Sequence, residues 1–161
     1  MQPALNDAVI FYVRCIGGEI CDPSGLISKV DPLGLNPRKI AEDIARATQD
    51  WHDYKVTCKL TIQNRVARID VVPSAENLIA RELKIPGRPA LGDKTIYDLT
   101  FDQLINVARQ MRPRSGARKL EGTVKEILGT AQSMHYCTID GKKPYDIVTM
   151  IRNGTLTVPE E

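Results

Sequence analysis

The sequence predicts an α+β fold in two parts. A small N-terminal α+β domain over residues 9–84 carries an antiparallel hairpin and two helices. A linker at 85–98 joins it to a mainly helical, three-helix C-terminal domain over 99–158. Three observations carry this reading. Residues 55–62 alternate strictly, with Val56, Cys58, Leu60 and Ile62 on one side and Lys55, Thr57, Lys59 and Thr61 on the other. The alternation resumes at Ala67, Ile69 and Val71 after a turn at Gln63-Asn64, the signature of a hairpin with one buried face. Thr100-Phe101-Asp102-Gln103 forms a capping box ahead of Leu104, Val107, Ala108 and Met111 at helical spacing. Between these segments, Pro86-Gly87-Arg88-Pro89 and Gly92-Asp93 break both periods.

The remaining elements follow in order. Val9 to Ile16 is rich in β-branched and aromatic residues and stops at Gly17-Gly18, so it reads as a strand. Asp22-Pro23-Ser24-Gly25 and Asp31-Pro32-Leu33-Gly34 make residues 21–35 a loop with two turns. Asn36-Pro37 opens a helix, Asn as cap and Pro at its first position, with Ile40, Ala41, Ile44, Ala45 and Thr48 facing inward. Pro73-Ser74 begins a second helix that completes the N-terminal domain. Past the capping box, Pro113 ends one helix and a longer one starts near Ala117, with Leu120, Val124, Ile127, Leu128 and Ala131 on one face. Pro144 opens a short helix stopped by Asn153-Gly154. Cys137 to Ile139 and residues 155–158 read as a pair of short strands.

Composition and motifs narrow the function. No apolar run approaches the roughly 20 residues of a membrane helix, and residues 1–8 lack the pattern of a secretory signal. Four cysteines without a C-x-x-C pair and two histidines give poor support for zinc; Cys58 reads as a small buried hydrophobe, and reduced thiols fit the cytosol. No nucleophile elbow, P-loop, zinc-protease or dinucleotide motif is present. His52 and His135 lie far apart in sequence, and Asp50-Trp51-His52-Asp53 reads as a turn around a packed indole. The residues point away from an enzyme, and they call for no metal and no cofactor.

Net charge is only +2, but its distribution is uneven. Residues 1–80 carry 9 basic and 10 acidic side chains, residues 81–119 carry 9 and 4, and residues 120–161 carry 4 and 6. Phosphate binding depends on local concentration of Lys and Arg, and here it falls in the middle segment. Arg109, Arg112, Arg114, Arg118 and Lys119 cluster between two helices, around a loop kept irregular by Pro113, Ser115 and Gly116. A solvated helix face would carry the same charge. At the end of the long helix stand Gly129, Thr130, Ala131, Gln132, Ser133 and Met134. Small and hydroxyl side chains suit the wide, shallow minor groove of A-form RNA, which is read by shape and 2′-OH contacts. A close helix–helix crossing uses the same small residues, and the residues alone leave both readings open.

Several stretches, taken in order, resemble one family: Pro32-Leu33-Gly34-Leu35, Asp50-Trp51, Lys59-Leu60-Thr61-Ile62-Gln63-Asn64-Arg65, Val71-Val72-Pro73-Ser74-Ala75, Ala108-Arg109-Gln110-Met111-Arg112, and Gly122-Thr123-Val124-Lys125-Glu126-Ile127-Leu128-Gly129-Thr130-Ala131-Gln132-Ser133. The chain resembles the universal family of large-subunit ribosomal protein eleven, numbered twelve in eukaryotes, in its archaeal and eukaryotic form. That resemblance implies a structural protein of the ribosome, cytoplasmic, and nucleolar during assembly if eukaryotic. It implies a C-terminal domain that binds the folded large-subunit rRNA at the stalk base, the GTPase-associated centre. It further implies an N-terminal domain contacting the acidic stalk-base protein and translational GTPases. On this basis Arg112, Arg114, Ser115, Arg118 and the helix end from Gly129 to Met134 carry over as RNA contacts, with Lys84 and Arg88 beside them. Pro32, Leu33, Gly34, Asn36 and Pro37 carry over as the factor- and stalk-facing loop. Ser28, Asp31 and His135 depart from the family pattern. The alternative is a free-standing helix-turn-helix-like nucleic-acid-binding regulator. Against it, the long helix lacks the exposed series of Arg, Lys, Asn and Gln that reads base edges.

Overall fold

The computed structural model describes residues 8–86, 92 and 94–161. The chain divides between Ser74 and Ala75 into two compact units. The first holds β1 (Val9–Ile16), α1 (Ser24–Val30), α2 (Pro37–Ala47), β2 (Lys55–Gln63) and β3 (Val66–Val72). The second holds α3 (Ala75–Glu82), β4 (Tyr97–Leu99), α4 (Phe101–Met111), α5 (Leu120–Met134), β5 (Cys137–Ile139) and α6 (Pro144–Arg152). The α+β class stands, with an antiparallel sheet and helices first and a mainly helical region after.

In the first unit β2 is the central strand of an antiparallel sheet ordered β1-β2-β3. The predicted inward set Val56, Cys58, Leu60 and Ile62 is buried, because a period of two puts all four on the helix-covered face. Ile69 pairs with Leu60 and Val71 with Cys58, which fixes the register of the return strand. The turn itself is Asn64-Arg65, one residue later than expected. Both adopt positive φ, 54° and 62°, the geometry whose twist matches a two-residue hairpin. Asn36 caps α2 by accepting a hydrogen bond from the Arg38 amide at 3.0 Å, and Ile40, Ala41, Ile44 and Ala45 are buried.

Residues 21–35 are not the expected loop. Pro23 precedes α1, Pro32 sits in a 3-10 turn over Asp31–Leu33, and Gly34 closes that turn with φ 80°. Proline is tolerated in the first turn of a helix and glycine suits its end, so the same residues that signal turns here bracket helical turns. Leu26 and Val30, four apart on α1, bury the inner face.

In the second unit the capping box forms as predicted. Thr100 Oγ1 accepts from the Gln103 amide at 3.1 Å, and Gln103 Oε1 accepts from the Thr100 amide at 2.9 Å. Leu99, Leu104, Val107, Leu120, Val124, Ile127, Leu128, Ile139 and Ile147 are buried in this unit's core. Two expectations are corrected. Cys137–Ile139 pairs in parallel with Tyr97–Leu99, which spans the end of the expected linker, and residues 155–158 form no strand. The helix after Ser74 packs against α4 and α5, so it belongs to the second unit. Its apolar face reveals that it packs, not on what.

All four cysteines are free, and Cys15, Cys58 and Cys137 are buried. Burial, with some help from Asp98, pushes the Cys137 thiol up to about 11, so it stays protonated at neutral pH. No helix of the described residues is long and apolar enough to cross a membrane.

One close approach holds the first unit's sheet to its helical side. Gly17 accepts a hydrogen bond from the Asp53 amide at 3.1 Å and donates to the Tyr54 carbonyl at 2.8 Å. A Cβ on Gly17 would lie 1.9 Å from the Trp51 carbonyl oxygen. Thr48 Oγ1, fully buried, accepts from the Gly18 amide at 3.0 Å and donates to the Ile44 carbonyl at 2.8 Å. Gly17→Ala therefore forces backbone apart. It should destabilise this unit by about 1–3 kcal/mol or more, read by urea unfolding through Trp51, the chain's one tryptophan. An unchanged midpoint would show that the Trp51 turn yields freely.

Candidate nucleic-acid interface

The basic segment after α4 is a built loop. A 3-10 turn over Arg112–Arg114 leads into Ser115, Gly116 and Ala117, and the chain then enters α5. The Ser115 hydroxyl is its hub. It accepts from the Ala117 amide at 3.1 Å and from Thr123 Oγ1 at 2.8 Å, and it donates to Glu126 Oε2 at 3.0 Å. Thr123 is fully buried, so these bonds anchor the loop along the first two turns of α5. Gly122 permits the contact: a Cβ there would stand 2.7 Å from the Ala117 Cβ.

Arg112 plays a different part from the one its charge predicts. Its Nη1 donates to the Ala117 carbonyl and its Nη2 to the Arg118 carbonyl, each at 2.8 Å. Nε and Nη2 also reach the Glu161 carboxylate at 3.3 Å. Its side chain is only 23% exposed. Most of the guanidinium's donors are thus used to hold the loop's shape. Arg114, Arg118 and Lys119 are exposed on the loop it shapes.

The helix end splits into two sets. Ala131 is fully buried and Met134 nearly so, because their places in the 3.6-residue period fall on the core side. As side chains available to a ligand these two are corrected to packing residues. Gly129 and Ser133 are exposed and Thr130 is half-buried. A Cβ on Gly129 would meet nothing within 4 Å, so no neighbouring element presses on it, and close packing does not explain the glycine. Thr130 Oγ1 bonds back to the Glu126 carbonyl at 3.4 Å and Ser133 Oγ to the Thr130 carbonyl at 2.6 Å. Gln132 is half-buried, and its Oε1 is shielded and without a hydrogen-bond partner among the described residues.

Glu126, Gly129, Thr130 and Ser133 follow one another at helical spacing on the outward side of α5. The Ser115 side chain reaches from the basic loop to Glu126, one helical turn before Thr130. Loop and hydroxyl stripe therefore form one continuous face. That face carries a carboxylate and small side chains rather than a base-reading series, which disfavours the helix-turn-helix alternative. His135 adopts φ 65° and ends α5 in the left-handed conformation.

The other sequence-derived candidates lie elsewhere. Lys84 is exposed, at φ 56° just past α3. Arg88 lies outside the described residues. In the first unit, Pro32, Gly34 and Asn36 are exposed and Leu33 and Pro37 half-buried, around the 3-10 turn and the start of α2. The Arg65 side chain from the hairpin tip lies against Gly34, where a Cβ would be 3.2 Å from its Nε. Sequence reasoning did not find Gly122, Thr123 or Glu126. Their partners lie five to eleven residues away across an irregular loop, beyond any periodic signal.

Two family models match the chain. That of the ribosomal protein L11 N-terminal domain covers residues 11–67, and that of the ribosomal protein L11 RNA binding domain covers residues 71–134. Among curated relatives, the large ribosomal subunit protein uL11 of Caenorhabditis elegans is 61% identical over 155 residues, covering 94% of this chain and 93% of the relative. Protein uL11A of Schizosaccharomyces pombe is 48% identical over 159 residues, covering 97% and 96%. Protein uL11x of Arabidopsis thaliana is 47% identical over 167 residues, covering both chains fully.

Lysine keeps the charge of Arg112 but cannot serve two carbonyls in fixed directions. Arg112→Lys should therefore lower the stability of the second unit by about 1–3 kcal/mol, nearly as much as Arg112→Ala. Far-UV circular dichroism during urea unfolding reads this. Full stability in the lysine variant would return Arg112 to the role of a simple phosphate ligand.

Proposed function

The chain belongs to the ribosomal protein L11 family, a structural rather than enzymatic one, and from that premise we propose that it is a protein of the large ribosomal subunit whose second unit binds folded large-subunit rRNA. The RNA is that of the stalk base, the GTPase-associated centre, and the first unit faces the acidic stalk-base protein and the translational GTPases. The protein works in the cytoplasm on the ribosome, after passing through the nucleolus during assembly in a eukaryotic cell.

The observation that carries the RNA reading is the continuous face on α5. Ser115 fixes the basic loop beside Glu126, one turn before the outward Gly129, Thr130 and Ser133. Arg114, Arg118 and Lys119 supply cations for phosphates. The open Gly129 lets backbone approach sugar edges, and the hydroxyls of Thr130 and Ser133 reach 2′-OH groups. Lys84 and Arg88, carried over by the resemblance, are further candidate phosphate contacts. For the first unit, the support is the fixed turn at Pro32, Leu33 and Gly34, which with Asn36 and Pro37 gives a rigid edge on which a protein can dock.

Binding to a stalk-base rRNA fragment should fall steeply with salt. Replacing Arg114 and Arg118 together by Ala should flatten the log–log slope by roughly one per residue. Thr130→Ala should cost about 1 kcal/mol of affinity. Gly129→Ala separates binding from folding. The added methyl meets no protein atom and should raise helix stability by up to about 1 kcal/mol, while weakening RNA binding by blocking close approach. Affinity unchanged in all of these variants would refute this face as the RNA site.

A further inference from the structure

Beside the α5 face lies a groove between α5 and α6 that no part of the reading above uses. It encloses about 390 Å³ and is lined by Lys125 and Gly129 from α5 and by Tyr145, Val148, Thr149 and Arg152 from α6. The groove shares Gly129 with the hydroxyl stripe, so the two surfaces are contiguous. On α6, Tyr145, Thr149 and Arg152 stand at i, i+4 and i+7, one ridge along the helix. Tyr145 is 61% exposed, high for a ring that burial would favour. Thr149 Oγ1 is turned back onto the Tyr145 carbonyl at 3.2 Å, which fixes it on the ridge. Two cations flank the groove. Lys125 is tethered to Glu121 at 3.3 Å, while no carboxylate pairs with Arg152 among the described residues. Asp146 is the acidic side chain nearest in sequence on α6, and it stands one residue round from the ridge.

We infer that this groove receives one unstacked nucleotide of the bound RNA, its base stacked on the Tyr145 ring and its phosphate held by Arg152 with Lys125. The inference rests on the RNA-binding reading. An exposed aromatic ring next to cations is the usual platform for a splayed base, since every base has a face to stack. α6 separates Tyr145 from Arg152 by about 10 Å along its axis, so ring and guanidinium reach the base and the backbone of the same stretch of strand. The groove is thus a second anchor, adding single-stranded recognition to the shape recognition of the α5 face.

The test uses the full chain and the stalk-base rRNA fragment, with affinities measured at several salt concentrations. Tyr145→Ala should weaken binding about tenfold, and Tyr145→Phe should leave it near that of the unchanged protein. Arg152→Gln should weaken binding and lower the salt slope by roughly one. Ultraviolet crosslinking should give a nucleotide adduct on the peptide holding Tyr145. Thermal melts of these surface variants should match the parent. Suppose Tyr145→Ala and Arg152→Gln bind like the parent while Arg114→Ala with Arg118→Ala weakens binding. Then the groove inference is overturned and the α5 reading stands. If the loop variant is silent and the α6 variants weaken binding, the groove stands and the loop assignment falls. Failure of the unaltered protein to bind the fragment overturns both.

Discussion

The candidate interface depends on one hydroxyl, that of Ser115. It takes protons from the Ala117 amide and the Thr123 hydroxyl and gives its own to the Glu126 carboxylate. A loop with proline and glycine would otherwise sample many conformations, each to be lost on binding. Here three hydrogen bonds, two carbonyl contacts from Arg112 and the Gly122–Ala117 approach settle its path before any partner arrives. Arranging cations in advance lowers the entropic cost of association. The loop and the outward face of α5 become one surface because the hub sits where it does. With Glu126 unbonded they would be two.

The same logic explains how a chain with a net charge of only +2 serves as an RNA binder. Arg112 uses its donors on the loop's own carbonyls and on Glu161, which leaves fewer unpaired cations facing outward. The surface they border is made of small and hydroxyl side chains, whose strength is fit rather than field. Such a face suits a partner recognised by its folded shape, because shape contacts fail on a poorly matched surface while diffuse charge attracts any polyanion.

Much of the fold was legible where a period or a cap declares itself. The alternation from Val56 to Ile62, the Asn36 cap and the Thr100–Gln103 box each use local chemistry, and local chemistry is what a sequence displays. Residues 21–35 were misread because Pro and Gly mark turns and helix ends alike. The β4–β5 pair was misplaced because three-residue strands carry little pattern and their partners are about forty residues apart. The allegiance of α3 was hidden for a related reason. Of the site, the residue types were visible, but not which donors the fold consumes. Nothing local distinguishes Arg112 from Arg118, and the motif carried over from the resemblance grouped Ala131 with Gly129, although the helix period already set Ala131 on the apolar face.

The α6 groove extends that lesson from reading to mechanism. Tyr145, Thr149 and Arg152 look like an ordinary solvated ridge until α6 is laid beside Lys125 and Gly129. Gly129 then has two neighbours to satisfy. It must be small for close approach to the α5 face and small again to keep the groove open. A glycine inside a helix gives up about 1 kcal/mol against alanine, and no protein atom occupies the space that its missing side chain leaves. Its place in the middle of α5 therefore makes physical sense as room reserved for something outside the chain, at the junction of the two surfaces.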